Sequence, residues 1–321
     1  MFKDLRPADV IAAAHRLRPI VTRTRLVASP ALSERVGGPV WLKLENEQLT
    51  GSFKVRGAYN ALALLPPQAR THGVVASSAG NHGLGVAFAA QALGIPATIF
   101  VPSTAPQVKR DGIARYGATL DTSQPHYDAA MDAAKAFAAE HGATFINPCL
   151  GDDLLAGQGP VGVEIIEDLP DVGTIILPVG GGGLLGGTGS IVRRVSPETA
   201  ILGAQAERTA AMARALAAGQ LVEIAVEPTL ADGLAGQIDE EALDIGRHAL
   251  DGITTVAEDA IADAIVWLAR EHDVRAEGSG AVGVAALLEG SLAPSRFPVA
   301  VVVSGGNIDA ATLERLVSRK A

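Results

Sequence analysis

Lys54 is the residue of this chain whose surroundings most clearly suggest chemistry. It follows Gly51-Ser52-Phe53, and apolar residues recur at helical spacing over Val55–Leu65. We therefore predict a glycine turn, then Ser52 as the N-cap of a helix that begins near Lys54. A lysine is unfavourable there, because the positive end of a helix repels a cation. Taken alone, Lys54 is most simply a surface lysine. A nucleophilic amine, or an anion bound beside it, would explain its position better.

A second polar loop, residues 77–83, contains Ser78, Asn81 and His82 between an apolar strand pattern and a helical one. Backbone amides at a helix N-terminus can hold a carboxylate, and the Asn81 amide can donate to an oxygen. The loop is therefore a candidate anion site. An ordinary turn with a capping serine is the alternative.

Four consecutive glycines, Gly180–Gly183, follow the predicted strand Thr174–Val179 and precede Leu184 at the start of a helix. Glycine leaves the backbone free to wrap around an oxyanion, and the helix terminus adds positive potential. This segment therefore predicts a phosphate site.

The same loop also matches a dinucleotide pattern. Gly181, Gly183 and Gly186 satisfy G-x-G-x-x-G, and Glu207 follows about 20 residues on, where a ribose-binding acid would stand. A nicotinamide-dependent oxidoreductase is therefore an open alternative. It gives no task to Lys54 or to Asn81.

Short β-branched segments alternate with alanine-rich helical segments through most of the chain. This alternation predicts an α/β fold with parallel sheets covered by helices on both faces. The final predicted strand, Val299–Ser304, places Ser304 at its carboxyl end. Ligands of such folds collect at the carboxyl ends of the strands, so we expect the loops described above to share one rim.

Composition excludes several classes of protein. The chain has 321 residues, is 48% hydrophobic and 19% charged, and has a formal net charge of −9. It therefore lacks the basic surface of a nucleic-acid-binding protein. No apolar run approaches the roughly 18 residues of a membrane span. The charged residues near Met1 do not resemble a signal peptide, and Cys149 is the only cysteine. We expect a cytoplasmic protein without a membrane partner.

The loops together resemble the pyridoxal-phosphate enzymes of the tryptophan-synthase-β-like fold, also called fold type II. Within that group the chain is similar to the serine/threonine dehydratase family, which includes serine racemases. The resemblance covers nearly the whole chain. The motifs that carry it, in order, are Leu42-Lys43-Leu44-Glu45, Gly51-Ser52-Phe53-Lys54, Ser78-Ala79-Gly80-Asn81-His82, Gly157-Gln158-Gly159, the four glycines, Ala231-Asp232-Gly233, Glu277-Gly278-Ser279-Gly280 and Ser304-Gly305-Gly306-Asn307.

The resemblance implies a role for each matching position. Lys54 would form the Schiff base with pyridoxal phosphate and remove the substrate α-proton, and Phe53 would pack beside the ring. Asn81 would donate to the phenolic oxygen of the ring, and Ser304 would face its pyridine nitrogen. The phosphate would be bound by the backbone of Gly180, Gly181, Gly182, Gly183 and Leu184. The substrate site would comprise Ser78, Asn81, His82, Gly233 and Glu277.

The resemblance also implies the reaction and the architecture. The reaction would be loss of water and ammonia from a β-hydroxy amino acid, by default L-threonine or L-serine, with β-phenylserine or 3-hydroxyaspartate as alternatives. The chain would form a homodimer. A large domain (1–73 and 149–321) would bind the cofactor, and a small mobile domain (74–148) would close on it.

Three departures from the family pattern refine this expectation. Serine racemases carry a serine at the position of Ala79, so we predict elimination rather than racemisation. Metal-dependent relatives carry a carboxylate a few residues after Glu207, where this chain has none, so we predict no metal site. Gly278 stands where proline is usual.

Overall fold

A computed structural model of the chain describes residues 5–319; residues 1–4 and 320–321, at the two ends of the expected large domain, lie outside the described part. The fold is α/β, as predicted, with two separate sheets. The strands are β1 (Leu26–Ala28), β2 (Val40–Leu44), β3 (Val74–Ser77), β4 (Ala97–Phe100), β5 (Thr119–Asp121), β6 (Thr144–Phe145), β7 (Thr174–Pro178), β8 (Ala200–Ala206), β9 (Gly252–Val256) and β10 (Val299–Val303).

Helices connect the strands and cover both faces of each sheet. They are α1 (Pro7–Leu17), α2 (Pro30–Val36), α3 (Lys54–Leu64), α4 (Pro67–His72), α5 (Asn81–Leu93), α6 (Gln107–Ala114), α7 (Tyr127–His141), α8 (Asp152–Gln158), α9 (Pro160–Asp168), α10 (Gly183–Val195), α11 (Ala211–Ala218), α12 (Glu240–Ala249), α13 (Glu258–His272), α14 (Gly278–Glu289) and α15 (Ala310–Arg319). None of those in the described part is both long and apolar enough to cross a membrane.

The larger sheet has six strands in the order β1-β2-β10-β7-β8-β9. Strands β2, β10, β7, β8 and β9 run parallel, and β1 pairs antiparallel with β2. The central strands β7 and β10 are buried along their whole length, because helices cover both faces. One face packs against α13 and α14, and the other against α1, α9, α10 and α12.

The smaller sheet has four parallel strands in the order β5-β4-β3-β6. Neighbouring residues of β3 point to opposite faces, so Val74 packs in the core beneath α5 and Val75 in the core beneath α7. All four strands lie within residues 74–145, inside the segment expected to form the small domain. The boundary at 148 stays a prediction.

The strands β1 and β2, which form a hairpin, were not predicted from the sequence. β1 has only three residues, and Lys43 interrupts the apolar pattern of β2. Lys43 is nevertheless fully buried, because its Nζ atom donates to the Thr24 carbonyl at 2.7 Å and to Glu164 at 2.6 Å. A buried ion pair therefore replaces the apolar contact that the pattern would require.

Candidate active site

Lys54 is the first residue of α3. The expected cap is wrong: Phe53 stands at the N-cap position, and the buried Ser52 hydroxyl has no hydrogen-bond partner in the described part. Ser52 instead forms a bridge with Gly305, and the Phe53 amide donates to the Ser304 carbonyl at 3.1 Å. We call residues 50–53, which lead to Lys54, the lysine loop. Backbone contacts with the loop after β10 hold the lysine loop in place, rather than hydrogen bonds of its own side chains.

The Lys54 amine lies where the large-sheet loops meet the segment after β6. Its Nζ atom donates to the Pro148 carbonyl at 2.6 Å and lies 3.9 Å from Cys149 Sγ. It also lies 5.4 Å from the centre of the Phe53 ring. The Lys54 amine is half-buried, and it donates its hydrogen bond to a backbone oxygen.

The four-glycine loop lies against the same cysteine. A Cβ atom at Gly181 would stand 2.6 Å from Cys149 Sγ, and one at Gly183 would stand 2.9 Å from the Cys149 carbonyl oxygen. Gly182 has φ +88°, a left-handed conformation that favours glycine. Only glycines therefore allow this approach. The loop leads into α10, whose first N–H groups have no partner within the helix and can bind an anion.

Leu184 is buried behind the four-glycine loop, and a Cβ at Gly180 would approach Leu234 Cα to 3.1 Å. Leu234 belongs to the short helical turn Asp232–Leu234, which also contains Gly233. A Cβ at Gly233 would stand 2.9 Å from Ser279 Oγ, near the start of α14. This turn therefore connects the four-glycine loop to the helix that follows Glu277.

Gly278 allows the turn Asp232–Leu234 to lie close to the start of α14. A Cβ at Gly278 would overlap the Leu230 carbonyl and stand 2.8 Å from the Ala231 amide nitrogen. The segment before Asp232 thus occupies the space that any larger residue at position 278 would need. Gly278, which stands where the family usually has proline, therefore contacts a segment that forms part of the wall of the site.

Asn81 is the first residue of α5, directly after the loop that follows β3. Its Nδ2 atom donates to Glu277 Oε1 at 2.6 Å, and its Oδ1 atom accepts from Asn307 Nδ2 at 2.6 Å. Ser78 lies in the same loop and accepts from the Gly80 amide at 3.1 Å. These contacts bring the small-sheet loop against the large-sheet loops.

His82 is buried, and its Nε2 atom faces the Ile146 carbonyl at 3.0 Å. Burial and the nearby Lys54 charge lower the pKa of His82 to about 3. The ring is therefore neutral, with its proton on Nε2 and Nδ1 left as an acceptor. A neutral ring offers no positive charge to a substrate carboxylate. The backbone amides of α5 and the Ser78 and Asn81 side chains suit that task better.

Glu277 is buried at the start of α14, and burial together with the Asp232 charge raises its pKa to about 7. The hydrogen bond from Asn81 and the Lys109 charge oppose that rise. Lys109 reaches Asp232 from α6 at 3.0 Å. Glu277 therefore changes its charge near neutral pH in a site that it shares with Asn81.

Ser304 is buried at the carboxyl end of β10, at the rim where β3 and β7 also deliver their loops. The predicted site residues thus lie in loops or in the first turns of the helices that follow them, and these segments contact one another. Their individual roles stay predictions. In the described part, no group of three or more His, Cys, Asp or Glu side chains could hold a metal ion.

Comparison with known proteins identifies the family. The profile of the pyridoxal-phosphate dependent enzymes matches residues 17–305. The chain belongs to that family. It is 43% identical over 312 residues to the L-threonine ammonia-lyase of Thermotoga maritima, covering 97% of this chain and 78% of that protein.

Solved structures agree with this family. The structure of maize serine racemase has a TM-score of 0.92 and 32% identity, and the match covers 98% of this chain and 97% of that one. The processed form of threonine deaminase isoform 2 from Solanum lycopersicum has a TM-score of 0.91 and 31% identity, over 97% of this chain and 86% of that one. The nicotinamide alternative is set aside, because the family is defined by a different cofactor.

The residues of this pyridoxal-phosphate enzyme fit its cofactor. Any side chain at Gly181 would collide with Cys149, so the loop presents bare backbone at the start of α10, as phosphate binding requires. Cys149 also lies beside the Lys54 amine. A cradle for the phosphate and an amine for the aldehyde are therefore neighbours.

Three contacts of the site were not predicted from the sequence. Pro148 and Cys149 meet Lys54 across 94 and 95 residues of chain, and no local pattern marks them. Asn307 contacts Asn81 across 226 residues. The available signal was that Asn307 directly follows Gly305 and Gly306. Asn307 was named from the sequence only as the last residue of that motif.

Proposed function

We propose that this enzyme is an L-threonine or L-serine ammonia-lyase, which eliminates water from a β-hydroxy amino acid and releases a 2-oxo acid and ammonia. The observation that carries the proposal is the position of Lys54. Its amine lies next to the four-glycine loop, through their common neighbour Cys149. The name and high identity of the Thermotoga maritima relative support the same reaction.

Pyridoxal phosphate, when bound to an amino acid, accepts the electron pair released at the α-carbon. The remaining tasks fall to this chain. The amides of Gly180–Gly183 and Leu184 would hold the phosphate, and Phe53 would support the ring. The Ser304 hydroxyl would face the ring nitrogen as a neutral partner. A neutral partner favours prompt loss of the β-hydroxyl over a long-lived carbanion.

Lys54 would carry the proton. Its amine would take the α-hydrogen of the substrate once it is free of the cofactor, and the enclosed site favours the neutral amine that this requires. The proton taken from the α-carbon balances the one that the β-hydroxyl needs to leave as water. One water is consumed again when the product hydrolyses to the 2-oxo acid and ammonia. The net change is therefore one amino acid to one 2-oxo acid plus ammonia.

The substrate carboxylate would lie at the start of α5. Ser78 and Asn81 would donate to it together with the backbone amides, and the neutral His82 would line the same pocket. Glu277 and Gly233 would form the wall beside the β-substituent. Ala79 carries only a methyl group, so it cannot return a proton from the face opposite Lys54. This supports elimination over racemisation.

The proposal extends to assembly and motion. Residues 74–148 would form a small mobile domain that closes on the large domain through the Asn81–Glu277 and Lys109–Asp232 contacts. The enzyme would act as a homodimer in the cytoplasm. The net charge of −9 supports a small-molecule enzyme rather than a nucleic-acid-binding one.

The test is release of 2-oxo acid by purified protein loaded with pyridoxal phosphate. L-threonine, L-serine, 3-hydroxyaspartate and β-phenylserine would be compared, with D-serine formation measured in parallel. We expect turnover of L-threonine or L-serine, and loss of at least about 10³-fold in kcat for Lys54→Ala. Lys135→Ala, an exposed change on α7, is the matched control and should keep full activity.

Other outcomes would redirect the proposal. D-serine accumulating as fast as 2-oxo acid would indicate a racemase. Preference for 3-hydroxyaspartate or β-phenylserine would keep the reaction and change the substrate. Full turnover by Lys54→Ala would overturn the mechanism.

A further inference from the structure

Asn307 uses both hydrogens of its side-chain amide on two different parts of the site. Its Nδ2 atom donates to the Thr50 carbonyl at 2.8 Å and to Asn81 Oδ1 at 2.6 Å. Thr50 belongs to the loop that leads to Lys54, and Asn81 begins α5 beside the small sheet. One side chain therefore joins the lysine loop to the helix that would bind the substrate carboxylate.

The backbone around Asn307 strengthens this connection. The Gly306 amide donates to the Gly51 carbonyl at 2.9 Å. A Cβ at Gly51 would stand 2.9 Å from Asn307 Cγ, and Gly51 has φ +74°. Gly51 must therefore be glycine both for its conformation and for the space that Asn307 fills. The Asn307 amide is therefore held against Thr50 and Gly51, just before Lys54.

The contact also fixes which way the Asn81 amide faces. Because Asn307 donates, the atom of Asn81 that it meets must be the oxygen. The Asn81 nitrogen is then directed at Glu277, to which it donates at 2.6 Å. The Asn307 backbone N–H also donates to Glu277 and lowers the pKa of that carboxyl, against the larger rise from burial. Asn81 keeps one N–H for a ligand.

We infer that Asn307 is a positioning residue, which turns the Asn81 amide so that its N–H faces the bound cofactor and substrate and its oxygen faces away. The inference rests on the proposed function for the identity of the substrate, but its effect on cofactor binding does not. Without Asn307, the Asn81 amide can rotate and present its oxygen, which repels the electron-rich oxygens of the ligands.

A double-mutant cycle tests this inference. Asn307→Ala, Asn81→Ala and the double variant would be compared in two measurements. One is the dissociation constant of pyridoxal phosphate, obtained by absorbance titration of the cofactor-free protein. The other is kcat/KM for the best amino acid. We expect Asn307→Ala to weaken each by about 10- to 100-fold, because it leaves buried polar groups unpaired and frees the Asn81 amide. In the Asn81→Ala background the same change should cost less than about 3-fold.

Asn46→Ala is the matched control. Asn46 lies beside the same loop, since a Cβ at Gly306 would stand 3.1 Å from Asn46 Cβ, and its amide donates to the Arg275 carbonyl at 3.2 Å. The contacts found for Asn46 do not involve Asn81. Its loss should therefore leave cofactor affinity within about 3-fold and should not couple to Asn81→Ala.

Additive effects of Asn307→Ala and Asn81→Ala would overturn the inference and reduce Asn307 to a loop support. If Asn307→Ala does not fold, Asn307→Ser replaces it. Its shorter side chain cannot span to Asn81, so the same coupling is expected. If the unmodified protein turns over no amino acid, the proposed function fails while the cofactor titration still decides the role of Asn307.

Discussion

Two polar clusters lie near the start of α3, and they differ in how completely their polar groups pair with one another. The first, which we call the ion cluster, comprises Lys43, Glu45, Arg56 and Glu164. The second, the site cluster, comprises Asn81, His82, Glu277 and Asn307. The ion cluster is buried, whereas the site cluster combines the buried His82 and Glu277 with the partly buried Asn81 and Asn307. The buried polar groups of both clusters must compensate for the loss of water around them.

The ion cluster has two positive and two negative side chains that pair with one another. Arg56 donates to Glu45 at 2.8 Å and to Glu164 at 2.7 Å, and Lys43 donates to Glu164 at 2.6 Å. Burial alone would raise the pKa of Glu45. The charge and hydrogen bond of Arg56, the Lys43 charge and the Thr24 hydrogen bond together outweigh burial and hold that pKa below its usual value. The cluster is complete without a ligand.

The site cluster has no such balance. Glu277 is held by the neutral amide of Asn81, and its pKa is raised to about 7 by burial and Asp232. In the described part the Nδ1 atom of His82 is buried without a partner. A perturbed carboxyl and a buried polar atom without a hydrogen-bond partner are typical of a site that binds a ligand.

The position of α3 relates the two clusters. Lys54 and Arg56 are two residues apart, so they point to different sides of the helix. Arg56 fixes the helix in the ion cluster, while Lys54 reaches the site. We infer that the ion cluster fixes α3 on one side of the helix and so positions the Lys54 amine on the other.

Breaking the ion cluster should have the largest effect on stability. Arg56→Met leaves Glu45 and Glu164 buried without their partner, so we expect the free energy of unfolding to fall by about 3–5 kcal/mol. Urea unfolding followed by circular dichroism measures this. Arg23→Met, which breaks surface ion pairs with Glu167 and Asp168, should cost less than about 1 kcal/mol. Equal losses for both would mean that the cluster does not anchor α3.

Removing the charge of Glu277 should change how stability depends on pH. The folded-state pKa of about 7 lies above the ordinary value of 4.5. The resulting stability is fully present below pH 4.5 and is lost as pH rises through 7. Glu277→Gln has no such proton, so its unfolding free energy should lack this decline, which is on the order of 3 kcal/mol. Urea unfolding of the cofactor-free protein at several pH values decides this; parallel curves would refute the raised pKa.

Lys109→Met should have the smallest effect. Lys109 and Asp232 are partly exposed, so losing their ion pair should cost less than about 1 kcal/mol of stability. It should still raise the pKa of Glu277, because the Lys109 charge lowers it. The midpoint of the Glu277-dependent pH curve should therefore move upward. Lys135→Met is the exposed control, and an equal shift there would dismiss a specific role for Lys109.

The loops of the candidate site could be predicted from the sequence better than the tertiary contacts that hold those loops in place. The loops at Lys54, Asn81, Gly180 and Ser304 were identifiable because each follows a strand or begins a helix, and local patterns mark those ends. The fold class followed from the same alternation.

The ion cluster could not be predicted this way. Arg56 meets Glu164 across 108 residues and Lys43 meets it across 121, so no local pattern records the pairing. Ser52 failed as a cap for a related reason. The loop after β10, more than 200 residues away, determines its backbone, and a tertiary contact outweighed the local preference.

The order of strands in the large sheet has a consequence for synthesis. β10 is the last strand of the described part to be synthesised, yet it lies between β2 and β7. Until it emerges, the hairpin of β1 and β2 has no hydrogen-bonded connection to β7, β8 and β9. The small sheet, by contrast, is complete once residue 145 is made. A nascent chain therefore carries α5 for more than 150 residues of translation before Ser304 and Asn307 are made, and a chain that stops before Ser304 lacks the contacts that these two residues make with Phe53 and Asn81.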